Sequence, residues 1–146
     1  MQYPIPTLRA CAEAAIPGCH FAHGEKEEAN IELDRLTLTE TIVLVEDKML
    51  VTPNRNKYGT RTSTSFQATI SVLAYSALAE SAEQRLPRMN ELLTAAFALL
   101  TALEQHPDLE KVTAGNIVSA YNQFDGNLDG VVLQVTLTPR ERASLC

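Results

Sequence analysis

Cys19, His20 and His23 form the one tight cluster of soft-ligand side chains in this sequence. A zinc site built on them would need a fourth ligand, from Cys11 or His106. Their spacing matches no established zinc pattern, and the segment reads as a short strand. Neighbours on a strand point to opposite faces, so Cys19 and His20 cannot reach one metal without a turn. One buried thiol and two histidines at a strand edge is the plainer reading. Nucleophilic catalysis would need Ser, Cys or Thr beside a positioned base, and no such arrangement or glycine-flanked nucleophile accompanies the three histidines. The six glycines stand singly and none opens a helix in the manner of a phosphate loop. We therefore expect no enzymatic activity, no cofactor and no metal.

The charged clusters are better suited to binding than to catalysis. Glu25, Glu27, Glu28, Glu32 and Asp34 make an acidic stretch without the ligand spacing or central glycine of a calcium loop. It reads as a solvated or partner-facing surface. Arg55, Lys57 and Arg61 surround Tyr58 in a segment that suits contact with DNA or an acidic neighbour, against the plainer reading of solvated bases. The formal net charge of -6 argues against a protein whose main work is neutralising nucleic-acid phosphates. Much of the excess lies early, with nine acids against four bases in residues 1–50.

These residues must be positioned by a small scaffold. The 146 residues, 45% hydrophobic and 21% charged, suffice for one core. At 5% aromatic and without Trp, that core is aliphatic. No run approaches the roughly 18 apolar residues of a membrane span, and MQYPIPTLRA lacks the pattern of a secretory leader. We therefore expect no membrane partner. Three cysteines, an odd and sparse set, suit free thiols in a reducing compartment.

Thr7–Ala15 reads as a short helix stopped by Pro17-Gly18, and Cys19–His23 as a brief strand. The β-branched run Thr41–Val45 predicts a buried strand. From Thr52 to Ser65 the Pro, Asn, Gly, Ser and Thr content predicts an exposed loop, centred near residues 53–64. Beyond it Phe66, Ala68, Ile70, Val72 and Ala74 alternate with more polar positions as on a half-buried strand. From Ser81 to about His106, the residues Leu86, Met89, Leu93, Ala96, Phe97, Leu100 and Leu103 recur on one helical face. Ser81 and Gln84 suit a capping box, but Pro87 then falls deep in the helix, which favours a start near Leu86. Asn116–Tyr121 and the alternating Val131, Leu133, Val135 and Leu137 predict a hairpin turned at Asp125-Gly126-Asn127 and ended by Pro139. The fold class is α+β, a mostly antiparallel sheet with one long helix on one face and a short N-terminal helix. Residues 1–138 make a single domain, and 139–146, with Arg140 and Arg142, a mobile or partner-bound C-terminal arm.

This order of elements carries a resemblance over most of the chain. It rests on HFAHGEKEEAN leading into TIVLV, then on ATISVLAYSALAESAEQRLPRMNELLTAAFALL, and most on the closing VTAGNIVSAYNQFDGNLDGVVLQVTLT, in which FDGNLDG opens an alternating final strand. The chain resembles the small tail-terminator and tail-completion proteins of long-tailed bacteriophages, which sit at the head–tail junction. It departs from them in having Thr39-Glu40-Thr41 where proline often precedes the first buried strand. The resemblance implies a non-enzymatic virion protein of the tail or neck, made in the host cytoplasm. Its protomers would form a homo-oligomeric ring, commonly six-fold, between the tail tube protein and the head–tail connector or adaptor, with genomic DNA passing through. In such a ring Arg55, Lys57, Tyr58 and Arg61 are expected to contact a neighbour, with Glu25, Glu27, Glu28 or Glu32 among their partners. A neighbouring connector or tube-initiation protein is the nearest alternative, and a small-ligand-binding α+β domain is the alternative of another class.

Overall fold

The chain is described by a computed structural model over residues 2–24, 41–76, 80–123 and 127–141. Helix α1 (Ile5–Ala15) begins at Pro4 and places Pro6 in its first turn, where a missing N–H costs no helical bond. It buries Leu8, Cys11 and Ala12 on one side. The chain then turns through Gly18, whose φ of 78° suits a residue without Cβ, into strand β1 (His20–Gly24).

Strand β1 pairs in parallel with β2 (Ile42–Glu46). Val43 and Val45 of β2 join the main core, while Ile42 and Leu44 join a smaller cluster with Ala22, Leu73 and Leu128. Burial on both faces explains why β2 is an unbroken apolar run rather than an alternating one. Strand β3 (Leu50–Arg55) and strand β4 (Arg61–Tyr75) follow. β2 pairs with Ile70–Leu73 of β4, and β3 pairs with its first half, Arg61–Gln67. The other edge of β4 is held by β6 (Leu128–Pro139), which pairs with β5 (Leu109–Gln123). The sheet thus runs β1-β2-β4-β6-β5, with β3 lying beside β4 on the β2 side. It is mostly antiparallel, and the fold is α+β.

The exposed loop expected near 53–64 is a β-hairpin. Only residues 56–60 connect its strands. Pro53, which argues against a strand, is tolerated because β3 is an edge strand, where a missing N–H interrupts no second ladder. Asn54, Ser63 and Ser65 then satisfy one another: Asn54 Nδ2 donates to both hydroxyls at 2.9 and 2.8 Å, and the Ser65 hydroxyl meets that of Thr138 at 2.9 Å. Hydroxyls that would favour turns in an isolated segment here tie β3, β4 and β6 together.

Helix α2 (Ala82–Gln105) crosses the same sheet face as α1 and touches it. Its start differs from the expected one near Leu86. Ser81 Oγ accepts from the Gln84 N–H and Gln84 Oε1 accepts from the Ser81 N–H, a complete capping box, and Pro87 lies inside the helix. The box satisfies two orphan donors of the first turn, and this outweighs the donor that Pro87 withholds from the Glu83 carbonyl. The buried face also differs. Met89, Leu92, Ala96, Leu99, Leu100 and Leu103 face the core, whereas Leu86, Leu93 and Phe97 remain 58%, 37% and 52% exposed. Two overlapping stripes share Met89, Ala96, Leu100 and Leu103, and the sheet selects the one that includes Leu92 and Leu99. No described helix is long and apolar enough to cross a membrane.

Candidate functional site

The residues with metal-ligating chemistry are not brought together. Cys11 is buried in the core, and the Cys19 thiol donates to the Ala12 carbonyl at 3.6 Å. Burial pushes both thiols above the ordinary range; the Glu13 charge raises Cys19 further, while its backbone hydrogen bond opposes the rise. His23 Nε2 lies 3.1 Å from Asp47 Oδ1, and His106 Nδ1 accepts from the Asp108 N–H beyond α2. Among the described residues no group of three or more His, Cys, Asp or Glu side chains is placed to hold a metal ion.

The basic residues do converge. Arg55 ends β3, Arg61 begins β4, and Lys57 and Tyr58 sit in the connection. The connection is a built turn. Asn56 Oδ1 accepts from the N–H groups of Tyr58 and Thr60 at 2.9 and 3.0 Å, the Asn56 N–H donates to the Thr60 carbonyl, and the Gly59 N–H donates to the Asn56 carbonyl. Gly59 adopts φ 79° there. Arg55 donates to the Gly59 carbonyl at 2.7 Å, and the Lys57 ammonium lies 4.9 Å from the centre of the Tyr58 ring. Tyr58 is 78% exposed, a large ring displayed on an ordered tip. Between Asp47 and Glu80 the sequence has four bases and no acid, so this arm is uniformly cationic. Arg61 lies 3.8 Å from Glu141, beyond the end of β6.

The acidic partners expected for this arm, Glu25, Glu27, Glu28 and Glu32, lie outside the described residues, as does Arg142. Arg140 is exposed, and its N–H donates to the Asp108 carbonyl at 2.8 Å, which ties the chain after β6 to the start of β5.

A second surface, missed by the sequence reading, lies on α2 and, at the end nearest Leu86, beside β5. Leu86, Leu93 and Phe97 fall at positions i, i+7 and i+11 of α2, on one line. Their exposure makes that line an apolar stripe rather than core. Next to it, Arg85, Leu86, Met89 and the 49%-exposed Tyr121 of β5 border a cleft of about 310 Å³. Glu83 precedes Leu86 by about one turn and Glu104 follows Phe97 by about two turns. The nearby cations of α2 are already engaged: Arg88 makes a two-pronged bond with Glu80 at 2.6 and 2.8 Å, and Arg85 lies 3.5 Å from the buried Asp129. The Glu80 hydrogen bond holds the Arg88 guanidinium still more firmly protonated than usual. The signal for this surface was a surplus of apolar positions, more than one helical face can bury.

Such surfaces can bind a partner through charge and apolar contact. The sequence matches no protein-family model, and no curated protein matches it.

Proposed function

We propose that the chain is a structural protein of a bacteriophage neck, whose copies form a ring that terminates the tail tube and joins it to the head connector. One observation carries the reading. The sheet is open, with a cationic hairpin on its β2 side and an exposed apolar stripe on α2 that begins beside Tyr121 of β5. Two different patches form head-to-tail contacts, and such contacts close into rings when the rotation between copies allows. The α+β architecture and the order of its elements, on which the resemblance to tail terminators rests, support the same reading.

In this role Arg55, Lys57, Tyr58 and Arg61 reach a neighbouring protomer or adjacent ring. Glu25, Glu27, Glu28 or Glu32 are among the partners of these bases in this proposal, and Arg140 and Arg142 belong to an assembly arm that meets the tail tube. A net charge of -6 suits a passage through which DNA slides without sticking. The test is genetic and morphological. A phage deprived of this chain accumulates filled heads and separate tails, and restoring the chain rejoins them; normal joining without it overturns the reading. Removing residues 140–146 lowers joining if the arm serves assembly, and unchanged joining removes the arm from the mechanism.

A further inference from the structure

We propose that the β3–β4 hairpin arm contacts DNA, with Arg55 and Arg61 together holding the phosphate backbone of the duplex. The inference stands on the single chain. It adds DNA to the partners of an arm that the ring reading sends to a neighbouring subunit.

Arg55 and Arg61 are cross-strand partners, one at the end of β3 and the other opposite it at the start of β4. Like charges directly opposite on paired strands repel, so the hairpin is less stable with this pair than with a neutral one. Their neighbours relieve the repulsion only in part. Arg55 donates to the Gly59 carbonyl at 2.7 Å, a neutral acceptor, and Arg61 lies 3.8 Å from Glu141 where both side chains are exposed and solvent screens the attraction. An anion between the two guanidinium groups turns one repulsion into two attractions. Phosphate suits the position, because its several acceptor oxygens match the donor forks of two arginines.

The composition of the arm favours a nucleic-acid phosphate over an acidic protein. Arg55–Ser65 holds three bases, five hydroxyls and one ring, with no acid and no aliphatic side chain. Protein interfaces are built around an apolar centre, which this tip lacks apart from Tyr58, whereas Arg, Lys, Ser, Thr and Tyr are the side chains that hold DNA phosphates. The shape agrees. β4 pairs with β6 only from Phe66 onward, so Arg61–Ser63 and their β3 partners form a two-stranded ribbon, exposed throughout residues 55–62. A ribbon of this kind fits the major groove, with phosphates on either side. Three cations give a weak, sequence-independent hold, which lets DNA move past a chain whose net charge is -6.

Titrating a fluorescent duplex with the purified full-length chain, read by anisotropy, tests the inference. Three neutralised phosphates make the affinity fall about 40-fold between about 50 and 200 mM salt. Replacing both arginines, Arg55→Gln with Arg61→Gln, weakens binding at the lower salt by roughly tenfold or more and cuts the salt effect to about threefold. The same variant keeps or raises the thermal midpoint, because the repulsion is gone. No binding by the parent chain, or equal binding by the double variant, overturns the inference. A lowered midpoint in the variant also overturns it, by making the pair structural. Displacement of the duplex by polyglutamate at equal charge does so too, by making the partner an acidic protein. All of these outcomes leave the ring reading to its own test in particles.

Discussion

The Arg85 guanidinium lies 3.5 Å from the fully buried carboxylate of Asp129, and so binds the first turns of α2 to the start of β6. The same guanidinium lies 5.9 Å from the centre of the Tyr121 ring on β5. One side chain of α2 therefore reaches both strands and borders the cleft beside Leu86.

Removing the Arg85 cation takes one of the nearby positive charges from a fully buried carboxylate. Arg85→Ala is expected to lower the free energy of unfolding by about 3 kcal/mol, the scale of a broken buried ion pair. Asp129→Asn removes the charge instead of stranding it and costs less. Urea denaturation of both variants checks the order; equal losses would show that the pair contributes through packing alone.

Gly130 sits on β6 opposite Leu73 of β4, and a Cβ there would run into the Val72 carbonyl oxygen and the Leu73 Cα. Backbone cannot yield as the far end of a side chain can. Gly130→Ala should cost about 2–3 kcal/mol, at the upper end for overpacking, and broaden the thermal transition. A melting temperature equal to that of the parent chain contradicts the close approach.

Burial raises the Cys11 thiol above its ordinary range, and Cys19 is raised by burial and by Glu13. The folded state thus keeps thiols protonated that ionise in the unfolded chain near pH 8.5. Their contribution to stability is complete below that value and is lost as pH rises through the raised folded values. Urea midpoints measured from pH 8 to 10 should fall, and Cys11→Ala should shrink the fall. An identical fall in that variant assigns it to other groups.

The sequence already carried the fold class and the strands flanking α2. Alternation in β4 and β6, and the doubly buried run of β2, are patterns that sheet geometry imposes directly. The hairpin was hidden because Pro53, Asn54, Asn56, Ser63 and Ser65 favour turns when taken singly, while pairing with β4 and Thr138 is a long-range property. What marked it was the continued alternation through Thr62 and Thr64, with Gly59 at the turn. On α2 the period was correct and the face was rotated, since Leu92 and Leu99 compete with Leu86, Leu93 and Phe97 and only the sheet decides between them. Of the candidate site, the basic cluster was legible as a set of neighbours. The apolar surface of α2 and Tyr121 was not, because it joins a helix to a strand.

On the ring reading proposed above, Tyr58 is expected to contribute to assembly rather than to folding. It is 78% exposed and touches Lys57, itself on the arm. Tyr58→Ala should shift stability by less than about 0.5 kcal/mol, as for surface substitutions generally, while reducing self-association. A destabilised fold, or unaltered association, separates Tyr58 from the role given to it.

Reconstruction of intact particles by electron cryo-microscopy tests the neck assignment most directly. A closed ring of this chain at the head end of the tail tube is the expected result. A particle whose neck is complete without this chain would contradict it.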